Sequence, residues 1–122
     1  MTDPRKIEFR KRSKQFALEV IWFCSGLHYK KGLHTIINQL LRSSGSVAAN
    51  FREASRARST AEFISKVEIC SQEADESMLW LELINEGYFI ESEKIKWLIN
   101  ESNELLSILI TMAINAKRSQ HE

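Results

Sequence analysis

"LLRSSGSVAANFREASRARSTAEF", residues 40–63, places six small residues (Ser43, Ser44, Gly45, Ser46, Ala48 and Ala49) inside what the surrounding pattern marks as a helix. Glycine in a helix interior costs about 1 kcal/mol relative to alanine, and serine is a middling helix former. The loss has to be offset by close packing or by binding. Around the stretch, Leu33, Ile37, Leu40, Ser44, Val47, Phe51 and Ala54 recur in an unbroken four–three rhythm. That rhythm is a helical face, and Ser44 falls on its packed side.

The same reading extends in both directions. Downstream, "STAE" offers Ser59 and Glu62 as a capping box. Phe63, Val67, Cys70, Ala74, Ser77, Leu81 and Ile84 then carry the rhythm on until Gly87. Upstream, Asp3 followed by Pro4 is a helix-start signal, and Phe9, Phe16, Val20, Phe23 and Leu27 share one face. "YKKG" at 29–32 reads as its end, with Gly32 as a left-handed cap. A last segment, capped by Glu91 or Ser92, uses Ile95, Leu98, Ile99, Leu105, Leu106, Leu109 and Ala113. The spacing predicts helices over about 4–29, 33–57, 60–86 and 91–118 in a single domain spanning 1–122. Long helices with short connections and this spacing define an all-α fold, an antiparallel up-down-up-down left-handed four-helix bundle.

Composition agrees: 43% hydrophobic and 27% charged residues, with one Pro and four Gly, leave little material for turns. No apolar run approaches the roughly 20 residues of a membrane span, so no membrane partner is expected. The charged N-terminus lacks an apolar signal core, which predicts a cytoplasmic protein. Cys24 and Cys70 lack metal-ligand spacing and read as small core residues. Net charge is +1, but residues 1–60 hold 12 Lys/Arg against 4 Asp/Glu, and residues 61–122 hold 5 against 12. Such asymmetry suits a nucleic-acid face or two complementary surfaces that meet in an assembly.

Helical bundles often hold metals through Glu-x-x-His pairs. Here His28, His34 and His121 are preceded at the third position by Ser25, Lys31 and Arg118, so no metal site is read. Phosphate loops and nucleophile elbows are absent as well, no cofactor or small-molecule substrate is implied, and the chain is not expected to be an enzyme. A polar constellation remains: Arg42, Asn50, Arg52, Glu53, Arg56, Arg58, then Glu62, Glu68, Glu73 and Glu76, with Trp80 on the Glu73/Glu76 face. It reads either as an inter-helix network that fixes register or as a ligand or subunit surface. Arg5, Lys6, Arg10, Lys11, Arg12 and Lys14 put positive charge on the first turns of the first helix. They are the candidate phosphate contacts, with an ordinary solvated face as the alternative.

Residues 40–83, "LLRSSGSVAANFREASRARSTAEFISKVEICSQEADESMLWLEL", carry a more specific signal. The stretch resembles the 23S ribosomal RNA intervening-sequence protein family at Arg42, Ser43, Ser46, Val47, Ala49, Asn50, Arg52, Glu53, Ala54, Ser59, Glu62, Phe63, Glu73, Glu76, Trp80 and Leu81. "KQFALEVI" and "GYFIESEKI" extend the likeness over nearly the whole chain. Ser44 stands where many relatives have Gly, Gly45 where they have Ser or Thr, and Glu91 where a capping Thr is usual. The resemblance implies a bundle that assembles into a homopentamer and a connection to RNA or the ribosome, with no settled biochemical activity.

Two functions follow as expectations. One is a non-catalytic homo-oligomer that binds RNA or the ribosome through its basic first helix. The other is a protein-interaction scaffold whose charges serve assembly alone. In either, the small residues at 43–49 are expected to admit a second helix closely, so Leu at Ser44 or Gly45 should dissociate or unfold the assembly.

Overall fold

The computed structural model describes residues 3–121. It consists of four helices, α1 (Pro4–Ser25), α2 (Leu33–Ala54), α3 (Thr60–Gly87) and α4 (Glu93–Gln120). Each start has a local cause. Asp3 accepts from the Arg5 N–H at 2.9 Å ahead of Pro4, and this holds the Asp3 carboxyl below its ordinary range. Ser59 accepts from the Glu62 N–H at 3.1 Å, while the Glu62 carboxylate turns to the Arg58 N–H at 3.3 Å, one residue before the reciprocal partner of a full capping box. Ser92, not Glu91, caps α4 by accepting from the Ile95 N–H at 3.2 Å.

Two ends fall short of the sequence reading. α1 stops at Ser25, where Gly26 is the C-cap and the Ser25 hydroxyl bonds the Trp22 carbonyl at 2.8 Å. α2 stops at Ala54, where Ser55 likewise bonds the Arg52 carbonyl. Gly32 is left-handed, at φ 84°, but it opens α2 rather than closing α1. A β-carbon there would lie 2.9 Å from the Tyr88 hydroxyl, which donates to the Lys31 carbonyl at 2.8 Å and so ties the 26–32 connection to the end of α3. Gly32→Ala is expected to cost about 1–2 kcal/mol, because an L side chain resists this backbone region. Phe at Tyr88 should cost less, since it loses only one exposed hydrogen bond; urea denaturation of both variants checks the order.

Helix directions follow from the contacts. Ser43, Val47 and Glu53 of α2 meet Ser77, Cys70 and Lys66 of α3, so one chain climbs as the other descends. Arg12 and Glu19 of α1 meet Glu101 and Lys94 of α4 in the same opposed order. Phe9, early in α1, packs on Phe51, late in α2, with ring centroids 4.5 Å apart. Each helix therefore runs against its two neighbours, and α1 and α3 occupy opposite corners. The core between them holds Phe16, Val20, Leu40, Val47, Phe51, Val67, Leu81, Ile84, Leu98 and Leu105, all fully buried. Each such side chain contributes roughly 1.5–3 kcal/mol relative to exposure.

The small-residue stretch divides. Ser43 and Ser44 are buried, and the Ser77 hydroxyl donates to the Ser43 oxygen at 2.9 Å, so α3 does approach α2 closely there. Gly45 lies outside that contact: a β-carbon on it would meet nothing within 4 Å. The sequence expectation for Gly45 is corrected accordingly within the subunit. Its lack of a side chain is not what lets α3 in.

Candidate nucleic-acid interface

Cutting each helix at its midpoint shows how charge is arranged along the bundle. Residues 3–14, 44–73 and 107–121 share one half and hold twelve Lys/Arg against six Asp/Glu. Residues 15–43 and 74–106 share the other and hold five against nine. The sequence-order asymmetry thus becomes an axial one, basic where α1 and α3 begin and α2 and α4 end. Two helix N-termini and two C-termini lie at that end, so their dipoles largely cancel and side chains set the potential.

Arg10, Lys11 and Lys14 stand exposed on α1, opposite its buried stripe of Phe9, Ser13, Phe16 and Val20. Arg52, Arg56 and Arg58 add exposed charge from the end of α2 and the turn after it. None of these six cations makes an ion pair among the described residues. Arg5 pairs with Asp3 at 3.3 Å on the surface, and the Lys6 ammonium sits over the Phe63 ring, 4.4 Å from its centroid. Arg56 and Arg58 are charges the sequence reading placed in the polar constellation, as a helix network or a ligand or subunit surface, and not among the phosphate contacts. Their position on the turn beside the start of α1 becomes visible only once α2 is folded back on α1.

Arg12 does not belong with the free charges. Its Nε and Nη2 donate to both Glu101 oxygens at 2.8 and 2.7 Å, and Nη2 also reaches Glu104 at 2.9 Å. Glu101 is nearly buried, and the two-pronged bond raises the Arg12 guanidinium further above its already high pKa. This cation locks α1 to α4. Beside it, the start of α1 and the end of α4 diverge around an open groove of about 1130 Å³, floored by Phe9, Phe63, Ile108 and Met112 and edged by Arg5, Lys6 and Arg58.

The motif residues of α2 and α3 mostly hold the helices to each other. Arg42 pairs with Glu73 at 2.9 Å and with Glu76, and Lys66 pairs with Glu53 at 3.0 Å. Asn50 turns back to its own helix, donating to the Ser46 carbonyl and hydroxyl at 2.9 Å. Trp80 is half-buried against the core on the same side of α3 as Glu73 and Glu76, whereas Arg52 projects to solvent. Burial pushes the free Cys24 and Cys70 thiols up to about 11 and about 12, so neither is a ready nucleophile at neutral pH. Among the described residues no cluster of three or more His, Cys, Asp or Glu stands close enough to hold a metal ion. No helix among them is long and apolar enough to cross a membrane.

Four long helices joined by short connections and tied by ion pairs between neighbours define a helical-bundle protein. The chain belongs to the 23S rRNA-intervening sequence protein family, whose sequence model matches residues 5–111. It is similar to the crystal structure of a protein of unknown function from the S23 ribosomal protein family of Bacteroides thetaiotaomicron VPI-5482, at 31% identity and a TM-score of 0.75. That likeness covers 86% of this chain and 97% of the other. No functionally curated protein matches the sequence.

Proposed function

We propose that this protein is a non-catalytic, cytoplasmic homo-oligomer that binds structured RNA, in the ribosome or apart from it, through the basic end of its bundle. The observation that carries the reading is the gathering, in that half of the bundle, of six exposed cations from α1, α2 and the turn before α3 that make no ion pair among the described residues. Cations free of internal partners release counterions when they meet phosphates, which drives binding and makes it salt-dependent. The groove beside them offers an apolar floor with cationic edges, a combination that suits unpaired bases and their backbone. Five copies are proposed on the family resemblance. The non-catalytic reading is supported by the chain's hydroxyls: those of Ser13, Ser71, Ser102 and Thr111 bond carbonyls of their own helices instead of a base.

A salt titration of binding to a structured RNA tests this. Arg10, Lys11 and Lys14 replaced together by Ala should weaken binding and flatten the log K against log salt slope by about 2–3. Arg12 is left out of the set because its loss would disturb the fold. A scaffold with no nucleic-acid role is the second reading, favoured by exposed Trp22, Leu79 and Trp97 in the half away from the basic end. A folded protein that fails to bind RNA even at low salt decides for the scaffold.

A further inference from the structure

The groove at the basic end is built in layers. On its α4 wall, Ile108, Met112 and Ala116 form an inner, half-buried row at steps of four. Ser107, Thr111, Asn115 and Ser119 form an outer row at the same steps, exposed and uncharged. Residues four apart on a helix lie one above the other, so the outer row runs along the groove for roughly 18 Å. Half-buried Phe63 of α3 extends the apolar floor. The Thr111 hydroxyl donates to the Ser107 carbonyl at 3.0 Å and keeps its acceptor side free. The Asn115 side chain makes no hydrogen bond to another described residue, so its amide offers both a donor and an acceptor.

The edges carry charge of two kinds. Arg5 is tied to Asp3, and Arg12 to Glu101 and Glu104. Lys6, Arg58 and one acid, Glu8, line the groove without an ion pair among the described residues. The Lys6 ammonium rests over the Phe63 ring, a weak hold at a partly solvated site, so it can swing away to meet an anion. An apolar floor, a neutral hydrogen-bonding row and a cationic edge are three separate demands on an occupant. An alkyl anion meets the first and the last and leaves Thr111 and Asn115 unmatched. An unpaired nucleotide meets all three, because a base has an apolar face and a polar edge and is flanked by phosphates. A base inside a continuous duplex offers neither: its face is stacked and its edge is paired.

We propose that the groove receives an unpaired nucleotide of the bound RNA. The base lies on Phe63, Ile108 and Met112, its edge meets Thr111 and Asn115, and the neighbouring phosphates meet Lys6 and Arg58. The inference rests on the RNA binding proposed above and adds a selectivity to it: a loop or bulge is bound in preference to continuous duplex.

The test titrates two RNAs of equal length at one salt concentration, a continuous duplex and a duplex interrupted by a bulge of unpaired adenines. By fluorescence anisotropy the native chain should bind the bulged RNA about tenfold more tightly. A chain carrying Thr111→Val and Asn115→Leu should lose most of that preference and keep its affinity for the duplex, since neither change alters charge. Both residues are exposed, so circular dichroism and light scattering should show unchanged helicity and mass. Met112→Ala, which shortens the floor, should reduce the preference as well. Equal binding of the two RNAs by the native chain, or a full preference kept by the double variant, would overturn the inference and leave the RNA reading standing. A folded native chain that binds neither RNA at low salt would remove both. Decanoate tests the alkyl anion: its binding by native chain and double variant alike, with no preference between the RNAs, would overturn the inference. An altered mass in the double variant would give the α4 wall to a contact between copies and overturn it too.

Discussion

A Ser43→Leu chain should unfold with about 3 kcal/mol less free energy than the native one, whereas Gly45→Leu, two residues on, should leave the subunit unchanged or gain up to about 1 kcal/mol. Ser43 is fully buried with its oxygen 2.9 Å from the Ser77 hydroxyl, so three added carbons must push α3 away from α2. Overpacking of this kind typically costs 1–3 kcal/mol, and the lost hydroxyl contact adds roughly 1 kcal/mol. At Gly45 a new side chain enters open space and the helix loses its poorest former. Urea midpoints read the pair directly at constant m-value. Equal loss at both positions would mean that α2 packs as a uniformly small surface, contrary to the split seen here.

Much of the bundle is written in the spacing. The rhythm through Ser44 and Ser77 placed both on buried faces although neither is apolar, because period outweighs polarity when the neighbours are Leu40, Val47, Ala74 and Leu81. Gly45 is the instructive neighbour: one residue off that stripe rotates it by a quarter turn or more, out of the contact. In α4 the rhythm lapses between Ile99 and Leu105, and the gap is filled by buried Glu101 and Ser102. A glutamate in that slot looks like a break in the core until a cation from 89 residues away is placed beside it. Helix ends were less legible because local chemistry decides them. Ser25 and Ser55 bond back to carbonyls three residues earlier, and Gly32 serves the helix that follows it.

The basic cluster was legible as a composition and not as a surface. Arg10, Lys11, Arg12 and Lys14 look alike in sequence, yet Arg12 precedes buried Ser13 on the flank of the inward stripe and turns toward α4. The sign was present in the pattern: a cation beside the seam of one helix and a carboxylate in the seam of another. What the sequence could not supply was which flank faces which helix. The same applies to Arg56 and Arg58, which join the start of α1 only through the turn between α2 and α3.

Arg12→Met should therefore act on stability and not on RNA affinity. It removes both hydrogen bonds from a carboxylate whose side chain is only 9% exposed. Breaking a buried pair from one side costs about 3–5 kcal/mol, and the 31% exposure of Arg12 places the expected loss near the lower end, about 3 kcal/mol. Replacing both partners, Arg12→Met with Glu101→Met, should recover most of it, because no charge is then left uncompensated. The Arg12 guanidinium, raised above its ordinary value, stays charged through the alkaline range in which proteins are studied, so this contribution should not fade as pH rises. Moderate salt should leave it nearly intact, since partly buried pairs are weakly screened, while RNA binding falls steeply. Measured together, the Arg12→Met chain should show a lowered urea midpoint with an unchanged salt slope, and the Arg10/Lys11/Lys14 chain the reverse. A flattened slope in folded Arg12→Met would place that cation at the phosphates after all, and Glu101 would then be the group that positions it.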